Sequence, residues 1–301
     1  MPKSRTYHSV VLVKQVPDTH NLSGEVMTKE GTMNRAALPA VFNPEDLNAL
    51  EMALALRDRH GGTVTVITMG PPQAAAVLRE ALFRGTDRVI LLTDRRFAGA
   101  DTLATSYTLK CAVEKNGAYD LVFCGRQAID GDTAQVGPQL AEKLDIPQIT
   151  YAEAILELKA NTVTVQRAFD LGTEIVRCTL PCLLTVVSSA NAPRPPSARR
   201  SIAYKLAATS LEYASLAQKW PEFSDVSALE AFLKKHNLQI PIWTAEDIGA
   251  EEEKIGLAGS PTQVHKINYV VLESTASKEV TPSKEGIAAM IQELVQEYIV
   301  D

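Results

Sequence analysis

GRQAIDGDTAQVGPQL, residues 125–140, is the stretch whose reading decides the fold. DLVFCG, Asp120 to Gly125, precedes it and reads as a short buried strand ending in glycine. Val136, Leu140 and Leu144 follow at four-residue spacing, which predicts a helix. The stretch is therefore a strand-to-helix turn rich in Gly, Asp and Thr. In an open parallel sheet, ligands sit outside the carboxyl ends of the strands. Free N–H groups at a helix start hold phosphate, and Asp130, Asp132 and Thr133 can bond ribose hydroxyls or cap the helix. Two acids and three glycines in sixteen residues exceed what one cap requires.

Working outward toward the amino end, SVVLVKQV (residues 9–16) reads as a buried strand. Lys14 interrupts its apolar run and is expected to reach from the sheet edge toward a ligand or an acid. Pro17 and Asp18 end the strand, and residues 19–42 read as an irregular excursion or small hairpin. Asn43-Pro44-Glu45-Asp46 reads as a helix start, with Asn43 as N-cap, Pro44 in the first turn and two acids at the positive end of the dipole. That helix runs to Gly61-Gly62. A strand over Thr63–Met69, a Gly70-Pro71-Pro72 turn, a second helix and a third strand over Arg88–Leu92 follow. GADTLATS (residues 99–106) opens a third helix, with Asp101 as N-cap and Thr102, Thr105 and Ser106 in its first turn. Capping is one reading of these groups, and a phosphate or ribose contact is the other.

Alternating strands and helices predict an α/β fold with a doubly wound, mostly parallel sheet. The strand ends at Lys14, Met69, Leu92 and Gly125 then share one edge. No GxGxxG follows the first strand and no GxxxxGK[ST] occurs, so neither the usual dinucleotide fingerprint nor a P-loop is present.

Beyond residue 149 the rhythm changes. TVTVQRA, TEIVRC and CLLTVV read as short strands without helices between them, an antiparallel addition. NAPRPPS (residues 191–197) reads as a pre-shaped proline-rich loop. Two short helices are expected over 207–240, peripheral to the main core, followed by an acidic segment over 246–254 and an extended, flexible GLAGSPTQ (residues 256–263). Ile287, Met290, Ile291, Leu294, Val295 and Tyr298 stand at helical spacing in an amphipathic terminal helix. The expected division is a nucleotide- or flavin-binding domain over 1–205 and, over 206–301, added helices with a C-terminal arm that contact a partner subunit.

The 301 residues are 46% hydrophobic, which supports a large core. A net charge of −6 argues against nucleic acid as the main partner, since phosphate neutralisation needs clustered cations. The one local basic cluster, Arg194, Arg199, Arg200 and Lys205, is expected to be solvated or partner-facing. Cys111, Cys124, Cys178 and Cys182 form no CxxC pair, and the histidines are scattered. Neither a metal site nor a disulfide framework is expected, and Cys124 is read as buried strand packing. The first residues lead into a strand without an apolar leader, and no run of eighteen apolar residues occurs. A cytoplasmic location without a membrane span is expected.

Taken together, these segments resemble the β (small) subunit of electron-transfer flavoproteins. The resemblance rests on VLVKQVPDT, NPEDLNALE, TVITMGPP, GADTLATS, CGRQAIDGDTAQVGPQLAE and VQRAFDLGTEIVRCTLPCLLT. It covers residues 8 to about 205 and returns at 256–270. Leu171 departs from it where Gly or Asp is usual, and Pro195, Pro196, Ala198 and Arg199 stand where the family's partner-recognition loop has a large aliphatic anchor.

The resemblance implies a heterodimer with a larger α subunit carrying a mobile FAD, while the β subunit binds AMP or a second FAD. GADTLATS, MGPP and GSPTQV look like the FAD-bearing, electron-bifurcating kind. In that kind NADH reduces the β flavin. One electron then passes to ferredoxin or flavodoxin, and the other passes through the α flavin to an acyl-CoA dehydrogenase or similar enzyme.

Carried over by position, the nucleotide contacts fall on Leu12, Val13, Lys14, Asn43, Pro44, Glu45, Asp46 and Met69. They continue over Gly125, Arg126, Gln127, Ala128, Ile129, Asp130, Gly131, Asp132, Thr133, Ala134, Gln135 and Val136. Asp101, Thr102 and Thr105 join them for a flavin, and Arg126 becomes a neighbour of its ring, or else a solvent-exposed charge beside the turn. No acid–base catalyst is required, because the cofactor supplies the chemistry. The rival readings are an ATP- or AMP-binding regulatory (stress-type) protein and an adenylating enzyme, the latter lacking a pyrophosphate loop after the first strand.

Overall fold

Strand β1 (Tyr7–Val13) ends one residue before Lys14, because Lys14 turns its backbone away from the sheet. The Lys14 amide donates to Asp46 Oδ2 at 2.8 Å, and its carbonyl accepts from the Asn43 amide at 3.0 Å. The single strand expected over 9–16 is thereby split. β2 (Gln15–Pro17) leaves the sheet and pairs antiparallel with β3 (Ala40–Phe42). In this computed structural model the described residues are 5–18, 39–220, 222–223, 225–262 and 278–296. The rest of the 19–42 excursion, the resemblance over 263–270 and Tyr298 lie outside them.

The chain continues through α1 (Pro44–His60), β4 (Gly62–Met69), α2 (Ala75–Arg84), β5 (Arg88–Leu92), α3 (Thr102–Asn116), β6 (Leu121–Gly125) and α4 (Val136–Lys143). It then forms β7 (Gln148–Lys159), β8 (Thr162–Phe169), β9 (Gly172–Thr179), β10 (Cys182–Val186), α5 (Ala198–Tyr204), α6 (Tyr213–Lys219), α7 (Val226–Lys235) and β11 (Ile242–Trp243). The main sheet runs β11-β5-β4-β1-β6-β10-β7-β8-β9. From β11 to β7 every pairing is parallel, whereas β8 and β9 add antiparallel.

Helices cover both faces of the parallel part. Leu50 and Leu54 of α1 and Leu78 of α2 pack with Val11, Val64 and Val66 on one side. Leu109 of α3 and Leu140 of α4 pack with Val10, Leu12, Ile67 and Val122 on the other. Each fully buried leucine contributes roughly 1.5–3 kcal/mol of burial free energy before entropy is counted. This is the doubly wound α/β fold that the alternating pattern predicts.

Several expectations are corrected. CLLTVV does not continue the antiparallel hairpins: β10 inserts parallel between β6 and β7. All five of its residues are buried, as a strand covered on both faces requires.

Residues 207–240 are not peripheral. Ala207, Ala208, Tyr213, Leu229, Leu233, Leu238 and Ile240 join the core on the α1–α2 side. Arg79 on α2 fixes this segment by pairing with Glu212 at 3.1 Å and donating to the Ala207 carbonyl. The chain then returns to the sheet as β11, which was not foreseen.

The proline-rich loop leads directly into α5. Arg194 is tied to Glu51 at 2.8 Å and Asp58 at 2.9 Å, and Arg200 donates to the carbonyls of Leu82 and Thr86. Half of the basic cluster thus holds the fold together, and Arg199 remains exposed.

GLAGSPTQ, as far as Thr262, is a turn rather than an extended segment. Ser260 accepts from the Asp101 amide and donates to the Gly256 carbonyl.

Residues 278–296 belong to a second, small unit and contain α8 (Lys284–Gln296). Its residues Ile287, Met290, Ile291 and Val295 are exposed.

Candidate functional site

At the carboxyl edge of the sheet, the start of α1 holds the turn that follows β6. Asn43 stands at the N-cap position but makes no capping bond with its side chain. Its side-chain Nδ2 donates to the Gln127 carbonyl at 2.9 Å, and its Oδ1 accepts from the Ile129 backbone amide at 3.1 Å. Glu45 accepts from the Gln127 amide at 3.0 Å and pairs with Arg126 at 3.2 Å. Asp46 accepts from the Gly125 amide at 2.9 Å as well as from Lys14. The sequence predicts a cap and two dipole-facing acids. The tertiary structure uses all three side chains to clamp residues 125–129.

The clamp requires close contact. A Cβ on Gly125 would lie 2.5 Å from Asp46 Oδ1 and 2.8 Å from the Glu45 carbonyl carbon. Burial pushes the Asp46 carboxyl up to about 7, although the amides of Gly125 and Lys14 and the charge of Lys14 all oppose the shift. Burial and the neighbouring Asp46 also push the Cys124 thiol well above its ordinary range. Lys14 Nζ holds both oxygens of Asp130, at 2.7 and 2.8 Å. Of the two targets expected for Lys14, it is therefore the acid that the side chain meets.

Two helix starts face the same space. At α3, Asp101 Oδ1 accepts from the amides of Leu103 and Ala104, and Oδ2 accepts from the amide and hydroxyl of Thr262. Asp101 is thus a working cap. Thr102 donates to Gln135 Oε1 at 2.9 Å and accepts from Gln139 at 3.3 Å, which laces α3 to α4. At α4, by contrast, Gln135 makes no capping bond among the described residues. The chain enters α4 through Asp132 and Ala134, both at positive φ (47° and 52°). Ala134 in the left-handed region is followed by Gln135 in the right-handed one (φ −98°, ψ −29°), a pairing that turns successive N–H groups toward one side, the arrangement that binds anions. Gly137 lets this start approach the sheet: a Cβ there would lie 2.7 Å from Thr185 Cγ2 and 2.9 Å from Cys124 Sγ.

Together these elements enclose a cavity of about 560 Å³. Of the residues singled out in the sequence, Leu12, Val13, Lys14, Asp46, Met69, Asp101, Thr102 and Thr105 line it. So do Gly125 to Ala128 and Asp130 to Val136. Asn43, Pro44, Glu45 and Ile129 do not reach it. Asn43 and Glu45 act behind the loop, and Ile129 offers only its amide, to Asn43.

The cavity also includes Phe97, Gly99, Ala100, Leu109, Cys124 and Gly137. Phe97 sits in a short turn whose cap, Asp94, accepts from Arg96 and from the Ala245 amide. Nothing local in the sequence marks Phe97 as facing the site. Gly137 was legible as a third glycine in the decisive stretch. Among the described residues, no group of three or more His, Cys, Asp or Glu side chains is placed to hold a metal.

Residues 30–211 match the model of the electron transfer flavoprotein domain. The electron transfer flavoprotein subunit beta of Thermoanaerobacterium thermosaccharolyticum is 41% identical over 291 residues, covering 97% of this chain and 99% of that protein. The chain belongs to the electron transfer flavoprotein β subunit family. Other members are similarly related. Protein FixA of Azorhizobium caulinodans is 43% identical over 267 residues, covering 86% of this chain and 83% of that protein. Subunit CarD of the caffeyl-CoA reductase–Etf complex of Acetobacterium woodii is 43% identical over 258 residues, covering 85% and 86%. As a β subunit of this family, the chain is an electron-transfer component that works with an α subunit. Among its described residues no helix is long and apolar enough to cross a membrane.

Proposed function

We propose that the cavity holds FAD and that this chain, paired with an electron transfer flavoprotein α subunit, takes electrons from NADH. It divides them between a low-potential acceptor of the ferredoxin or flavodoxin kind and the α-subunit FAD, which serves an acyl-CoA dehydrogenase or similar enzyme. The carrying observation is the uncapped start of α4, opening on a large cavity beside the clamped 125–129 loop. Such a start fits a nucleotide phosphate. Leu12, Met69, Phe97 and Leu109 supply an apolar wall suited to a planar ring. A flavin there would supply hydride acceptance and single-electron release. The residues of the chain bind and orient it and set the charge beside it. The names of relatives such as CarD, from an Etf-containing reductase complex, support the same reading.

AMP is the second reading, and the closure of α3 favours it. Asp101 spends both carboxylate oxygens on backbone and on Thr262, which removes it as a partner for a ribityl chain or pyrophosphate. The test is the nucleotide content of the co-purified αβ complex after denaturation. About two FAD per heterodimer supports the proposal. One FAD with one AMP replaces it with a one-flavin carrier, and adenine nucleotide with no flavin overturns both.

A further inference from the structure

Tyr151 is held in a backbone conformation that a tyrosine rarely adopts, beside the cavity but not in its wall. Its φ is 58°. It lies where β7 carries one residue too many against β10: Leu184 pairs with Ile149 and Val186 with Ala152, so a two-residue step faces a three-residue step. That is a β-bulge, in which glycine commonly takes the left-handed position. Here a bulky side chain takes it, and the neighbours enforce it. The Tyr151 amide donates to Thr185 Oγ1 at 3.1 Å. Arg167 fixes the preceding residue by donating to the carbonyl and hydroxyl of Thr150, both at 2.9 Å. The Val187 amide closes onto the Ala152 carbonyl. Strain enforced from several sides is a mark of functional positions.

The bulge aims the Tyr151 ring at Arg126, whose guanidinium carbon lies 5.6 Å from the ring centre. Arg126 lines the cavity, and Glu45 grips its other side at 3.2 Å. Val186 pairs with Gly125, so the bulge stands level with the turn that begins the loop. We propose that Tyr151 is a positioning residue, one that stacks on Arg126 and presents the guanidinium to the ring of a flavin in the cavity. This rests on the FAD reading above. A glycine at 151 would form the bulge without strain but would leave Arg126 with Glu45 alone.

The experiment compares FAD and AMP binding to the full chain by titration, together with thermal midpoints, for wild type, Tyr151→Asn and Tyr151→Phe. Asparagine tolerates positive φ and lacks the ring, and phenylalanine keeps the ring. Tyr151→Asn is expected to melt at or above the wild-type temperature and to bind FAD about threefold to fivefold more weakly, the loss of a partly exposed cation–π contact. Tyr151→Phe is expected to bind within about twofold of wild type, since the stack persists. Equal FAD affinity in wild type and Tyr151→Asn overturns the positioning role alone. A lower melting temperature or failure to fold in Tyr151→Asn also overturns it, because the ring is then structural. A wild-type chain that binds AMP but not FAD overturns the cofactor reading, and the positioning role with it.

Discussion

At the start of α3 the Asp101 carboxylate occupies the amides of Leu103 and Ala104, whereas at the start of α4 no side chain among the described residues caps the first turn and Gly137 brings it against the sheet. Both starts face one cavity and both were marked in the sequence by Gly, Asp and Thr. The difference lies in where their acids go. Asp101 turns back on its own helix, while Asp130 is drawn off to Lys14 across the cavity. Composition alone makes the two look equivalent as anion sites. The hydrogen bonds make one a sealed support and the other an open donor set.

The comparison breaks most severely at Gly137. Gly137→Ala would drive a methyl group into Thr185 and Cys124, displace α4, and destabilise the fold by ~2–3 kcal/mol. Affinity for the nucleotide in the cavity, FAD in the proposed function, should fall at least about tenfold. Urea denaturation and nucleotide titration read the two effects, and unchanged binding would remove α4 from the site.

Asp46 sharpens the contrast through pH. Its folded carboxyl titrates at about 7, against 3.8 for the free group, so the folded state holds a proton that the unfolded state has lost. That contribution to stability is fully present below pH 3.8 and is lost as pH rises through about 7. Between pH 5 and 7 stability should drop by ~1 kcal/mol per pH unit on this account. Asp46→Asn should flatten the dependence in denaturation curves taken over that range.

Asp101→Ala removes a cap and should cost ~1 kcal/mol of stability. If α3 is sealed support, AMP binding should change less than about threefold, since no direct contact is lost. A large loss of binding with little loss of stability would reverse the assignment of the two starts.

The smallest effect is expected at Ala134, whose φ is 52°. Ala134→Gly relieves a left-handed residue and should stabilise by ~0.5–1 kcal/mol. The added freedom of the loop should weaken nucleotide binding slightly, and paired melts and titrations resolve the two signs.

Much of this was legible in order along the chain. The strands β1, β4, β5 and β6 and the helices between them follow from buried apolar runs, and the turn after β6 was located by its glycines and acids. Asn43, Glu45 and Asp46 were picked out as the start of a helix, and α1 does begin there. Their types suit a helix start, and only the approach of Gly125 reveals that they hold a loop some 80 residues away in sequence. Phe97 and Leu109 carry no local sign of the cavity, because an apolar residue on a helix or turn faces whatever the packing brings to it. CLLTVV was misplaced because a run of apolar residues says that a strand is buried but not which strands flank it.

The amino-acid sequence by itself determined the alternation of strand and helix, the edge at which the strands end, and the two helix starts at that edge that are candidates to meet an anion. These depend on side-chain periodicity and on backbone preferences within a few residues of one another. The tertiary structure decided the insertion of β10 between β6 and β7, the packing of residues 207–240 into the core, and the closing of one helix start beside the open one. Each of these depends on contacts between segments distant in sequence, where the free energy resides in surfaces that meet only after the chain has folded.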